Sequence, residues 1–182
     1  MSKAKHKRLI AIFQQFKKIT RPEEGDPFNY INIVKEEDRV SIFSTIGKAL
    51  LNAEITCEDM LQYFQNIEVG SHAIPKAHID SVVKQIKDNY KLDTIPKCNV
   101  KLPDYKSVQT RLCRENQSMD KQVLLNIDAI NKLTQAFSKM IESYNSIYWQ
   151  HPKDSGIMTL YFADPEGLMG FTIRGDVVVC KN

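Results

Sequence analysis

The sequence predicts a mostly helical α+β protein: five or six helices with a C-terminal three-stranded antiparallel β-meander packed on a long helix. Three observations carry that expectation. Apolar residues recur at helical spacing through most of the chain, in the longest stretch from Met119 to Trp149. Beyond Asp154-Ser155-Gly156 the period switches to short apolar runs separated by turn residues. The composition, 182 residues with 42% hydrophobic and 26% charged, is that of a folded globular chain and not of a disordered one.

The elements follow in order. Leu9, Phe13 and Phe16 mark a first helix over about residues 3–19, stopped before Pro22, with a basic polar face. Residues 21–27, rich in Pro, Gly and Asp, read as a loop. Residues 28–34 alternate weakly, as a short strand or an extended lead-in. A second helix is predicted over about 36–51 from Val40, Phe43, Ile46 and Leu50, with Glu36, Glu37 and Asp38 favoured in its first turn by the helix dipole. A third, capped by Thr56 with Asp59 three residues on, carries Met60, Leu61, Phe64 and Ile67 and ends at Gly70. A fourth opens at Pro75, with Ile79, Val82, Val83, Ile86 and Tyr90 as its core stripe.

Ile95-Pro96 and Leu102-Pro103 break helical structure, so residues 91–103 read as an extended loop or hinge. The chain then divides into a helical region (1–90), that hinge, and a part (104–182) holding the long helix and the meander, all within one compact domain. A short helix is predicted over about 104–114. Ser118 caps the long helix, which would span about 46 Å, and His151-Pro152 ends it. The strands are 157–162, 168–174 and 177–180, joined by Asp164-Pro165-Glu166-Gly167 and Gly175-Asp176. Arg174-Gly175-Asp176 is thus read as a hairpin turn and not as an adhesion tripeptide.

Catalytic motifs are absent. The sequence holds no Gly-rich phosphate loop, no H-E-x-x-H, no C-x-x-C and no G-x-S-x-G. His6, His72, His78 and His151 lack metal-ligand spacing. No feature singles out Cys57, Cys98, Cys113 or Cys180 as a nucleophile, and such scattered cysteines read as free thiols in a reducing compartment. The chain is expected to be cytoplasmic and non-enzymatic, to use no cofactor or metal, and to lack a membrane span.

Two binding readings remain. The end of the long helix is aromatic, and aromatics are enriched at interfaces. Tyr144, Tyr148 and Trp149, with Tyr161 on the first strand, are the candidate contacts to another protein, in an adaptor, chaperone or complex subunit that could form an oligomer. The alternative rests on charge. Residues 1–21 carry Lys3, Lys5, Lys7, Arg8, Lys17, Lys18 and Arg21 and no acid, although the net charge is only +3. Such a helix can follow nucleic-acid phosphates through those lysines and Arg8. Residues 36–70 even outline a helix-turn-helix, but Glu58 and Asp59 would then face phosphate.

The C-terminal third carries Tyr161, Asp164, Glu166-Gly167-Leu168, Gly170 and Ile173. In these residues it resembles the small adaptor chaperones of bacterial type IVB secretion systems. The resemblance implies a non-catalytic protein that holds effector or coupling-protein segments against a sheet or helix groove.

Overall fold

Among the described residues, strands hold as much of the chain as α-helices do and join into one large antiparallel sheet. The computed structural model describes residues 3–21, 28–45, 49–93, 95, 124–125, 127–141, 148–150, 157–162 and 171–180. Among these, four α-helices cover Lys3–Ile19 (α1), Glu58–Leu61 (α2), Ile79–Asn89 (α3) and Ile127–Met140 (α4). Eight strands cover Tyr30–Lys35 (β1), Val40–Thr45 (β2), Ala49–Ile55 (β3), Gly70–Pro75 (β4), Leu124–Leu125 (β5), Tyr148–Gln150 (β6), Ile157–Phe162 (β7) and Phe171–Cys180 (β8). The strand order is β4-β1-β2-β3-β8-β7-β6. The short β5 pairs the far end of β8, through Leu124 with Cys180. Each pairing is antiparallel.

This overturns the mostly helical expectation with its three-stranded meander. The predicted helix over 36–51 is a hairpin. Val40, Phe43 and Leu50 fit a helical repeat, but Val40 and Ile42 also alternate, and they point into the core with Ile31, Ile33, Leu51, Ala53 and Ile55. The acidic run that suited a helix start is the turn between β1 and β2. There the Glu36 amide donates to the Arg39 carbonyl at 2.9 Å, and the Arg39 guanidinium pairs with the Glu36 carboxylate.

The long helix is shorter at both ends than its sequence pattern. It spans Ile127–Met140, and Tyr148 and Trp149 belong to strand β6. The second and third predicted strands are one. Residues 171–180 run straight through Gly175-Asp176, which is no turn. Gly175 is there for a close approach: a Cβ at this position would meet Phe137 Cε2 at 3.0 Å and Leu133 Cδ1 at 3.1 Å. Only hydrogen lets α4 settle on β8 at this point.

Other expectations held in outline. Helix α1 has the predicted bounds, with Leu9, Ile12, Phe13 and Phe16 fully buried. The Thr20 amide and hydroxyl fold back onto the carbonyls of Phe16 and Lys17, closing its last turn. The third helix exists but is brief, and its N-cap is Cys57, not Thr56. Gly70 opens β4 at φ 135°, a conformation that suits glycine. In α3, Ile79, Val82, Val83 and Ile86 are buried as expected, whereas Tyr90 is exposed and caps the helix with left-handed geometry. The hinge over 91–103 and the helix over 104–114 lie almost wholly outside the described residues.

The helices form a layer on one face of the sheet. Helix α1 packs against both α3 and α4, and it also meets β2; α4 sits over β3 and β8. The core lies between this layer and the inward-facing strand residues, including Ile173, Leu160 and Phe162. The other sheet face is polar and aromatic. Register aligns Asn32, Phe43, Asn52, Arg174, Tyr161 and Tyr148 in one row across six strands. Beside that row Asp176, only 1% exposed, accepts from the Thr159 hydroxyl at 2.6 Å and from Arg174 Nε at 2.9 Å.

Candidate functional site

The solvent face of the helix layer carries a stripe of cations. Burial of Leu9, Ile12, Phe13, Phe16 and Ile19 turns Lys3, Lys7, Gln14 and Lys18 outward along α1. In α4, burial of Ala129, Leu133, Ala136, Phe137 and Met140 does the same for Lys132, Gln135, Ser138 and Lys139. The two stripes meet along the α1–α4 seam. One cleft there, of about 190 Å³, is lined by Gln15, Lys18, Lys132, Gln135, Ser138 and Lys139 among others. A second, of about 420 Å³, is lined by Ala4, Lys7, Arg8, Ala11, Gln14, Lys139 and Met140. Among the described residues, no carboxylate lines either one. Helix α4 carries one acid, the exposed Asp128 one turn before Lys132, and α3 carries Asp80 and Asp88 beside Lys84 and Lys87.

The six basic residues expected on the first helix therefore divide. Lys3, Lys7 and Lys18 are exposed, and Arg8 is half-buried at the seam. Lys5 turns away and donates to Cys57 Sγ at 3.0 Å and to Asp59 at 3.2 Å, contacts that raise its pKa above the ordinary lysine value. Lys17 pairs with Asp80 at 2.6 Å. Lys76 donates to the Thr20 carbonyl at the end of α1; burial, and then the charges of Lys17 and Lys132, hold its pKa below the usual lysine range. The cations of α4 are overshadowed in the sequence by the stronger pattern of its apolar stripe. The signal was present as Lys132, Gln135, Ser138 and Lys139, a polar stripe at the same helical spacing.

Three of the four aromatic candidates lie on neighbouring strands and not on the long helix. Tyr148 and Trp149 lie on β6, paired with Tyr161 and Leu160 of β7. Tyr161 is half-buried, and Tyr144 lies outside the described residues. The helix-turn-helix outline disappears, because its first helix is the β2–β3 hairpin.

His6, His72 and Cys57 are tied into structural contacts, and His151 lies outside the described residues. His6 Nδ1 lies 2.8 Å from the Tyr63 hydroxyl, and its ring lies 4.4 Å from that of Tyr90. Burial pushes the Tyr63 hydroxyl up to about 12. His72 sits on β4, not in a loop, with Nε2 2.8 Å from the Glu68 carbonyl. His78 precedes α3. Among the described residues no three of His, Cys, Asp and Glu cluster as metal ligands, and no helix is long and apolar enough to cross a membrane.

His6 makes folding sensitive to acid. Burial holds its pKa below the ordinary 6.5, so the unfolded chain takes up a proton that the folded chain refuses. Its stabilising contribution is present above pH 6.5 and is lost as pH falls from there towards the folded pKa. Between pH 7.5 and 5 the melting temperature of wild type should fall further than that of His6→Gln. Parallel losses in the two proteins would refute the assignment.

Comparison with known proteins gives the fold. No protein-family description and no curated protein matches the sequence. Solved structures do match. The beta clamp of Helicobacter pylori in complex with diflunisal superimposes with a TM-score of 0.60 at 10% identity, over 96% of this chain and 64% of the clamp. The DNA polymerase III beta subunit of Thermotoga maritima gives 0.59 at 12% identity, over 96% and 63%. The sliding clamp of Bartonella birtlesii gives 0.59 at 9%, over 97% and 64%. The fold is thus that of the sliding clamps, and the chain spans a little under two-thirds of the length of these relatives in shape. None of the three is a secretion adaptor or chaperone by name. Of the residues behind that resemblance, only Tyr161 and Ile173 lie among those described.

Proposed function

We propose that this protein is a non-catalytic scaffold of the sliding-clamp type, whose α1–α4 face lies along the phosphate backbone of duplex DNA. The observation that carries the reading is the cationic seam, whose clefts no described carboxylate lines, contributed by two helices far apart in sequence and brought together by the fold. Structures of like fold are named as a DNA polymerase subunit and as sliding clamps. A protein that slides must hold phosphates without reading bases. Lysines suit this role, as flexible point charges that release counterions whatever the sequence. The edge strand β6, carrying Tyr148 and Trp149, supports a protein contact on the same scaffold, made by addition of a partner strand.

The test is a salt titration of duplex binding by fluorescence anisotropy, using several unrelated sequences. With Lys7, Lys18, Lys132 and Lys139 each meeting a phosphate, log K should fall with log salt at a slope of roughly −3 to −4. Affinity should not depend on base sequence. A flat salt response, or a strong preference for one sequence, would sink the proposal.

A further inference from the structure

The seam is more than a charged surface. Its two clefts exist because small residues stand at the helix contact, Ala11 on α1 and Ala136 on α4, where longer side chains would fill the space. Lys139 lines both clefts. From Lys7 to Lys18 is eleven residues, or about 16 Å along the helix axis, so the clefts lie end to end under one lysine.

The donor set is one-sided. The smaller cleft offers the ammonium groups of Lys18, Lys132 and Lys139, the Gln135 amide and the Ser138 hydroxyl. Lys18 uses one proton on the Gln15 side-chain oxygen at 3.3 Å, leaving two. Ser138 donates to the Gln135 carbonyl at a long 3.4 Å, a bond weak enough to give up. Neither Lys132 nor Lys139 forms an ion pair among the described residues. Gathering cations in clefts that no described carboxylate lines costs free energy through mutual repulsion, and an arriving oxyanion would relieve it.

We infer that the α1–α4 seam holds phosphate groups at two fixed seats that share Lys139. The inference rests on the phosphate-binding reading above and adds position to it: a strand is held at defined points, and a free phosphate can occupy the same points. A diffuse potential would treat all exposed lysines alike. Fixed seats would make Lys139 matter more than Lys3, which is equally exposed at the end of α1 but lines neither cleft.

The probe is inorganic pyrophosphate, titrated by calorimetry into the full chain at constant ionic strength, with Lys139→Met, Lys3→Met and Lys18→Met beside wild type. Saturable binding is expected. It should weaken at least fivefold in Lys139→Met, weaken in Lys18→Met and stay unchanged in Lys3→Met, and pyrophosphate should displace a labelled duplex from wild type. Equal losses at Lys3 and Lys139, or no saturation, would overturn the seats. In that case a duplex that still binds leaves the clamp reading standing. Saturable pyrophosphate binding without duplex binding would uphold the seats for a free oxyanion and remove the DNA reading. Melting curves of each variant guard against misfolding.

Discussion

Phe137→Ala should cost the fold about 3–5 kcal/mol, the range for emptying a fully buried aromatic site. Phe137 is 0% exposed and rests on the glycine of β8, so its loss opens a cavity between helix layer and sheet. Gly175→Ala acts on the same contact from the other side. Its new Cβ would stand 3.0 Å from Phe137 Cε2, and overpacking of this kind costs typically ~1–3 kcal/mol. The two changes should not add. Once the ring is gone, that contact is relieved while Leu133 Cδ1 still stands 3.1 Å from the added Cβ, so Gly175→Ala should cost less in the Phe137→Ala background than in wild type. Urea denaturation of the four proteins measures this coupling. Strict additivity would show that α4 and β8 do not press on each other at this point.

A Lys18→Glu, Lys132→Glu, Lys139→Glu protein should bind duplex DNA about 100-fold more weakly at low salt, and its salt slope should shrink by about 2–3. All three side chains are exposed, so the melting temperature should stay close to that of wild type. Reversal is the suitable test because deletion is not. Removing the first helix would take Leu9, Ile12, Phe13 and Phe16 out of the core and unfold the protein. Reversing Lys84 and Lys87 of α3 to Glu, which lowers net charge away from the two clefts, serves as the control for net charge. If binding survives the triple reversal, the seam does not carry it.

What could be read from the sequence divides along physical lines. Helix α1 was legible from end to end, because one apolar stripe, one basic face and a proline stop all agree. Helix α3 and strand β7 were legible for similar reasons. Strand β1 was legible in part, as the alternation over residues 28–34, but the β2–β3 hairpin was not. The turn that leads into it, over Glu36–Arg39, holds neither Gly nor Pro, and Phe43 and Leu50 are buried on the sheet face opposite Ile42 and Leu51. A strand buried on both faces loses its alternation, and its apolar residues can then imitate a helix. Tyr148 and Trp149 misled in the same way, since they continue the period of α4 while belonging to a strand. Gly175-Asp176 looked like a turn because glycine has two uses, tight reversal and close approach, and sequence does not separate them. The basic half of the site on α1 was visible as charge alone. The half on α4 needed the fold, because nothing local says that residues 132–139 lie beside residues 7–18.

The joining of β3 to β8 has a consequence for the birth of the molecule. Ala53 pairs with Ile173, about two-thirds of the chain away. At synthesis rates of about 5–20 residues per second, roughly 6–24 s separate their emergence. During that interval β1 to β4 can pair among themselves, yet the β3 edge stays open and α1 lacks its neighbour α4. An open edge bearing Leu51, Ala53 and Ile55 is a template for the wrong strand. Nascent chains stalled before residue 171 should therefore be the aggregation-prone species, and refolding of the full chain should be limited by this one distant closure.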